Sequence, residues 1–477
     1  MSGILLKGLE GQEIRLKNQD ISLFEAGLDG YLIVPANEKY NTARALWNGM
    51  IERKPGLIVR CRSSEDVMKC VDLARERGIL LAVRGGGHNV AGNALCDGGL
   101  VIDLTEMRSV RVDADNALVL IDGGATLGEV DSATYPAHGL TTPMGVVTAT
   151  GYAGLALHGG MGWQMRKYGL AADNIAGVDI VTADGRLLRA GPDENPDLYW
   201  AVRGGGGSFG VVTSFTSRLH STPRQVMLAV PIFSLERAPE VLRFLRDYMV
   251  DAPDELMVLG AFWTAPDTPE IAPGNRGAHA LFLMICFIGP LEDAEKAVAP
   301  LRNCQPVIGD LTSIKPWTEV QKFFDEDYPD GRRYYWKSTF ADELTDPIID
   351  ALMEHAQSRP SMLTSIDLWS MGGAYGRVGA EETAFGSREA KVTINYESNW
   401  IDPGEDDANV EWTRKSLRQI QELAQSRTYL NFAGFGEDQE RLVKENFGKN
   451  LDRLQQIKAA YDPHNLFRTN FNIRPKG

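Results

Sequence analysis

The apolar positions change period twice between residues 57 and 83. Leu57-Ile58-Val59 is a continuous apolar run of strand length. Val67, Cys70, Val71 and Ala74 then recur at i, i+3, i+4 and i+7, the signature of a helix with one buried face. Ser63 or Ser64 is suited to cap that helix, Glu65 and Asp66 suit its first turn, and Gly78 ends it. Residues 79–83 return to a strand. The strand–helix–strand unit is followed by short β segments at 99–104, 110–112 and 117–124. A helix opens near Gly128-Glu129-Val130 and ends near His138-Gly139, and Ala183-Asp184-Gly185 turns a hairpin after 178–181. A further short helix is expected over 39–50.

From about residue 222 the pattern changes. Residues 225–233, 256–265 and 279–287 read as strands, alternating or nearly continuous in apolar residues. Helical patterns at 238–248 and 291–301 separate them, and a charged helix is expected over 409–425. This predicts a second α+β unit with an antiparallel sheet covered by helices.

Glycine breaks the first half of the chain at three places. Arg84-Gly85-Gly86-Gly87-His88 follows the strand at 79–83, glycines crowd residues 145–162, and Gly204-Gly205-Gly206-Gly207 precedes Val211-Val212. A run of glycines allows positive φ and close approach of a ligand to the main chain. Taken alone, Gly-Gly-Gly-His reads equally as a tight surface turn. Three such loops beside strands favour a backbone-lined groove for a large ligand over three independent turns. No GxGxxG opens a helix here and no Gly-Lys-Ser/Thr is present, so this is neither a dinucleotide-type Rossmann start nor a P-loop.

Composition narrows the classes. The chain has 477 residues, which implies two or three substructures. A net charge of −15 argues against nucleic acid and against a general affinity for anionic membranes. The first ten residues carry no basic n-region and no long apolar core, and no run approaches a membrane span, so a cytoplasmic location is expected. Five scattered cysteines without a CxxC fit reduced thiols rather than a disulfide frame, and no metal site is expected.

Arg84-Gly85-Gly86-Gly87-His88, Asp97-Gly98-Gly99, Gly151 with Gly159-Gly160, Tyr168-Gly169-Leu170 with Asp173-Asn174, and Asp197-Leu198-Tyr199-Trp200-Ala201 with Gly210-Val211-Val212 resemble FAD-linked oxidases of the vanillyl-alcohol-oxidase superfamily. The closer likeness is to the berberine-bridge-enzyme-like branch, including its bacterial 6-hydroxynicotine-oxidase type. It returns near the C-terminus in Tyr461-Asp462-Pro463-His464-Asn465-Leu466-Phe467-Arg468, Asn470 and Asn472.

The resemblance implies an α+β fold. A PCMH-type FAD-binding domain would span 1–221 (core about 52–221), a substrate domain 222–427, and a berberine-bridge-like segment 428–477 would return to the FAD domain. It implies that FAD is held by Arg84, Gly85, Gly86, Gly87, His88, Asn89, Gly92, Asn93, Thr150, Gly151, Ala153, Gly154, Gly159, Gly160, Asp173, Asn174, Val178, Val211, Asn470 and Asn472. His88 matches the histidine that bonds covalently to the flavin in this family. The cysteine that makes a second link in many relatives is replaced by Val147, so a single link through His88 is expected. His158 stands where many relatives have glycine, and a non-catalytic role is expected for it. Thr150 matches a position near which relatives gate oxygen.

The implied reaction removes a substrate proton and passes a hydride from a C–OH or C–N carbon to the flavin, with O₂ as acceptor and hydrogen peroxide as product. Tyr429, in Thr428-Tyr429-Leu430-Asn431, is the first candidate base, with Tyr396 and Asp367 next. Lys337, Arg332 or Arg333 would supply the charge needed to lower a tyrosine pKa. The alternatives are a flavin dehydrogenase or oxidative cyclase using another acceptor, and a flavin carrier without turnover. The expected partners are a small organic substrate and O₂, and the protein is expected to be a monomer or homodimer.

Overall fold

The computed structural model describes residues 3–424 and 427–477. Met1, Ser2 and Gln425, the expected end of the charged helix, lie outside the described residues; that helix spans Asp406–Leu423.

The first half builds a four-stranded and a five-stranded sheet, beside two two-stranded pairs, Gly3–Lys7 with Glu13–Lys17 and Leu140–Thr141 with His220–Ser221. Leu57–Arg60 and Leu81–Arg84 both run parallel to Leu100–Asp103, which lies between them, and Tyr31–Ile33 adds an antiparallel edge. The expected helix between the first two strands is Ser64–Arg77. The Ser63 hydroxyl accepts from the Asp66 N–H, and Gly78 closes the helix at φ 64°. Val67, Cys70, Val71 and Ala74 are fully buried against the sheet. Burial of this kind contributes roughly 1.5–3 kcal/mol per large aliphatic side chain. The second sheet has five antiparallel strands in the order Leu187–Ala190, Ile175–Val181, Val211–Arg218, Leu118–Asp122, Val110–Asp113.

The second half is dominated by a nine-stranded antiparallel sheet. Four consecutive neighbours, Leu256–Thr264, Ser365–Ser370, Val392–Trp400 and the edge strand Arg333–Ala341, form the part of it at the site. Both faces are buried. Val258, Ile366, Leu368, Ile394 and Tyr396 pack under the helices Ala238–Tyr248, Leu291–Arg302, Asp346–Gln357 and Asp406–Leu423. Alternate residues, among them Leu259, Trp369 and Trp336, face the first half of the chain. This two-residue period decides which side chains reach the site.

Two expectations are corrected. The strand expected over 225–233 is two strands, Gln225–Ala229 and Pro231–Ser234. They pair on their outer sides with different segments, Ser313–Pro316 and Val307–Asp310, so the ladder breaks at Val230. The helix expected over 39–50 is only Tyr40–Arg44. Beyond it the Trp47 N–H donates to Gly87 and the Gly49 N–H to Arg332, and these long-range bonds override local helix preference.

The C-terminal segment returns to the first half. Thr469 Oγ1 donates to Leu81, and Asn93 Nδ2 donates to Asn470 Oδ1 at 3.3 Å. Fully buried Lys458 donates to Asp462 at 2.6 Å and to the carbonyls of Ser208 and Phe467, so the buried ammonium is paired as well as bonded. Among the described residues no helix is long and apolar enough to cross a membrane.

Candidate active site

The two halves enclose a cavity of about 1220 Å³, part of it open to solvent. One wall is backbone. Gly85, Gly86, Gly87, His88, Asn89 and Asn93 line it from the first loop; Thr150, Gly151 and Gly154 from the second; Asn470 from the C-terminal segment. The two loops approach most closely at Gly86 and Gly151. A Cβ on Gly86 would lie 2.5 Å from the backbone N and Cα of Gly151, and a Cβ on Gly151 would lie 2.5 Å from the Gly86 nitrogen. Any side chain at either position would force the loops apart.

The other expected cofactor residues lie outside the cavity lining. Gly92 holds a left-handed turn (φ 69°) and its carbonyl accepts from Arg53. Ala153 is buried in the helix Tyr152–Leu157. Arg84 bonds the Ala43 carbonyl and its Nε is buried without a partner. Gly159 packs on Phe385, and the Gly160 N–H donates to Tyr429. Asp173 is clamped by Arg388 in a bidentate pair (2.6 and 2.8 Å) that ties the two halves together. Asn174 bonds the carbonyls of Tyr168 and Leu170. Val178 and Val211 are interior residues of the five-stranded sheet, and Asn472 Oδ1 is buried without a partner.

His88 is held by stacking. Its ring lies 4.1 Å from the Trp47 ring at 18°, and Trp47 stacks in turn on Tyr334 at 3.7 Å. Trp47 Nε1 donates to the Tyr328 carbonyl at 2.8 Å, which fixes the stack. Burial lowers the His88 pKa to about 3, so the imidazole is neutral, and its Nε2 is buried with no partner. A neutral, orphaned nitrogen beside a glycine cradle fits the attachment point of a flavin. Val147 lines the same cavity, and no cysteine does among the described lining residues. His158 also lines it. Its Nδ1 lies 3.2 Å from the Gly154 carbonyl, and burial lowers its pKa.

The opposite wall is the sheet. Leu259, Trp336, Asp367, Trp369 and Glu397 project into the cavity, with Phe324 and Tyr328 from the 317–328 segment and Phe432 at the side. Asp367 and Glu397 sit on paired antiparallel strands, where Asp367 faces Asn395 and Ser365 faces Glu397. The two acids are thus diagonal neighbours on one face. Tyr328 Oη donates to Glu397 Oε2 at 2.7 Å, whereas Asp367 Oδ1 is buried without a partner. Burial raises both carboxyls well above the ordinary carboxylate range, Asp367 to about 7. The charge of Asp367 pushes Glu397 further up, and the Tyr328 hydrogen bond opposes this.

Of the three candidate bases, Tyr396 is on the wrong face. Its side chain points into the helical layer, and its hydroxyl lies 2.6 Å from His355 Nδ1. Tyr429 lines the cavity. Its oxygen accepts from Asn431 Nδ2 (2.8 Å), Gly160 N (3.1 Å) and Met161 N (3.3 Å), yet burial still raises its pKa above that of an ordinary phenol. Its hydroxyl therefore stays protonated at neutral pH. The cations proposed to activate it are engaged elsewhere: Lys337 with Glu437, Arg333 with Asp406, and Arg332 with the Asp327 carbonyl. Glu397, Tyr328 and Trp47 are the site residues missed in the sequence. Glu397 is selected over its neighbour Tyr396 by the inter-strand register, which alternation within one strand does not give.

A FAD binding domain model matches residues 55–191, and a berberine and berberine-like model matches residues 428–474. The uncharacterized FAD-linked oxidoreductase YgaK of Bacillus subtilis (strain 168) is 31% identical over 461 residues, covering 94% of this chain and 97% of the relative. The (R)-6-hydroxynicotine oxidase of Paenarthrobacter nicotinovorans is 30% identical over 474 residues, covering 94% and 98%. The crystal structure of 6-hydroxy-D-nicotine oxidase from Arthrobacter nicotinovorans superposes with a TM-score of 0.83 at 29% identity, covering 94% of this chain and 99% of that one. The chain belongs to the FAD-linked oxidoreductases with a berberine-like C-terminal segment. It is a FAD-dependent oxidoreductase of the PCMH-type, berberine-bridge-like fold.

Proposed function

We propose that the protein is an oxidase in which FAD is attached through His88 alone and the buried acids Asp367 and Glu397 handle the substrate proton. The observation that carries this reading is one cavity with a neutral, orphaned His88 Nε2 on its backbone wall and two carboxyls on its sheet wall. A flavin held by these residues would supply the hydride acceptor and, once reduced, would pass the electrons to O₂ to give hydrogen peroxide.

The chain's own residues do the rest. Gly85, Gly86, Gly87, Gly151 and Gly154 give main-chain access, and Asn93 and Asn470 close the edge. Val147 leaves the second covalent position without a thiol. The raised pKa values of Asp367 and Glu397 lie closer to neutral pH than those of free carboxyls, so an ionised member of the pair accepts an O–H or N–H proton efficiently. Tyr429 donates to a substrate heteroatom. Thr150, on the cavity wall, is the position assigned to oxygen access. The aromatic surface of Trp336, Trp369, Phe324 and Phe432 excludes water and fits a small or medium organic molecule.

The test is a yellow purified protein. Acid precipitation should leave the colour on the polypeptide, and loss of colour to the supernatant would overturn the attachment. Anaerobic addition of candidate alcohols and cyclic amines should bleach the flavin, and readmitted air should restore it with one hydrogen peroxide per substrate. Bleaching without peroxide would instead identify a dehydrogenase.

A further inference from the structure

Asp131 is a buried carboxyl that the chemistry of the cavity does not use. It sits in the helix Leu127–His138 of the first half and is 3% exposed. Trp317 Nε1 donates to its Oδ1 at 3.2 Å and Gln321 Nε2 to its Oδ2 at 3.1 Å. Both donors come from the 317–328 segment, which carries Phe324 and Tyr328 to the cavity. The same Gln321 Nε2 donates to the Gly145 carbonyl at 3.2 Å. Gly145, Val146, Val147 and Thr150 line the cavity. One side-chain amide thus joins a buried acid to the cavity wall. A second fastening lies beside it, where Asp325 accepts from the Thr148 N–H (2.9 Å) and hydroxyl (2.6 Å).

This arrangement suits the ionised acid. A carboxylate accepts at both oxygens, whereas a protonated carboxyl has an O–H to donate. The Trp317 indole can only donate, so of the two partners only Gln321 carries an acceptor, its Oε1. Turning Oε1 toward Asp131 takes the Gln321 N–H groups away from the Gly145 carbonyl. Burial raises the Asp131 pKa to about 7, so both forms are populated near neutral pH. The surrounding charges are few. The 317–328 segment brings Glu319 and Lys322, and the strand Val110–Asp113 packed on the helix brings Arg111 and Asp113. Leu140–Thr141, also packed on it, brings none, and the helix itself carries Glu129, Tyr135 and His138. Lys322 favours the ionised form of Asp131.

We propose that Asp131 and Gln321 are positioning residues for the 145–150 stretch of the cavity wall, and that protonation of Asp131 releases this stretch by withdrawing Gln321 from Gly145. Ionised Asp131 keeps the amide oriented and the wall fastened at both Gly145 and Thr148. Protonated Asp131 leaves the wall held by Asp325 alone. The wall is therefore firmer above pH 7 than below it. The device lies outside the proposed oxidase chemistry and does not depend on it, because it acts with or without a reacting substrate.

The experiment is hydrogen exchange followed by mass spectrometry on the flavin-loaded protein without substrate, at pH 6 and pH 8. Each rate is divided by the intrinsic rate at that pH. Peptides covering 145–150 should exchange roughly two- to tenfold faster at pH 6 than at pH 8, the effect of one lost hydrogen bond on local opening. Asp131→Asn removes the titration and Gln321→Met removes the amide, so each should abolish the difference. Asp325→Asn should retain it, because the second fastening is not the one that titrates. The sign separates local release from global unfolding. A raised folded-state pKa makes the stability linked to Asp131 fall as pH rises, so global opening would speed exchange at pH 8 instead. Equal corrected rates at the two pH values, faster exchange at pH 8, or a difference that persists in folded Asp131→Asn or Gln321→Met would each overturn the proposal. Loss of the difference in Asp325→Asn alone would also overturn it, by assigning the response to the other carboxylate.

Discussion

Tyr328 donates a 2.7 Å hydrogen bond to Glu397, joining the 317–328 segment to the large sheet. The bond stabilises the ionised form of an acid that burial and Asp367 otherwise keep protonated. Tyr328→Phe removes the donor, so the Glu397 pKa rises further. The ascending limb of the rate against pH should move to higher pH, with roughly tenfold slower flavin reduction at neutral pH. Stopped-flow reduction across pH 5–9 checks this; an unshifted limb would show Tyr328 to be a packing residue only.

Asp367→Asn acts in the opposite direction. It removes the negative neighbour that raises Glu397, so the same limb should move to lower pH. Glu397→Gln should retain flavin and slow reduction on the order of 10²–10⁴-fold. Full reduction rates in both single variants would remove the acids from the chemistry.

Trp47 pins the His88 ring by stacking. Trp47→Phe keeps an aromatic face but loses the bond to the Tyr328 carbonyl. The fraction of protein with acid-stable flavin should fall while total FAD binding persists. His88→Ala should abolish acid-stable flavin altogether. Spectra of the acid-precipitated pellet and supernatant measure both, and undiminished pellet colour in His88→Ala would place the attachment elsewhere.

Asp131 couples stability to pH. It accepts from Trp317 Nε1 (3.2 Å) and Gln321 Nε2 (3.1 Å) across the junction between the halves, and burial raises its pKa to about 7. The native state therefore holds this proton between about pH 4 and pH 7, whereas the unfolded chain releases it near pH 4. Stability linked to Asp131 is fully present below pH 4 and is lost as pH rises toward 7, on the order of 2–4 kcal/mol. In Asp131→Asn this contribution to the slope disappears. Denaturant titrations at pH 4.5 and 7 compare the two proteins, and identical slopes would contradict the shift.

Much of the flavin half was legible because its signals are local. Gly78, Gly139 and the Gly85-Gly86-Gly87 run are backbone requirements, and Val67, Cys70, Val71 and Ala74 carry their helix in one period. The strand His279–Phe287 and the helix Ala238–Tyr248 were also readable, since both faces of the sheet are buried and the helix has a strong apolar stripe. The sheet wall of the site was harder. Tyr396 and Glu397 are adjacent, and a one-residue step along a strand exchanges the cavity for the helical layer. Chemistry drew attention to the tyrosine; the register that favours the glutamate is set by Asp367↔Asn395 pairing, which no local pattern encodes. Trp47 was hidden for the same reason, because its partners His88 and Tyr334 come from distant segments.

The bare contact between Gly86 and Gly151 sets a limit on how this enzyme can diversify. Two main chains already in contact leave no side chain there to shorten, and any mutation at either residue adds bulk. Size can change on the facing sheet instead, where alternate positions such as Leu259, Trp336 and Trp369 line the cavity away from the backbone cradle. On the proposed reading, substrate range and cofactor retention are separable traits, open to independent selection on opposite sides of one cavity.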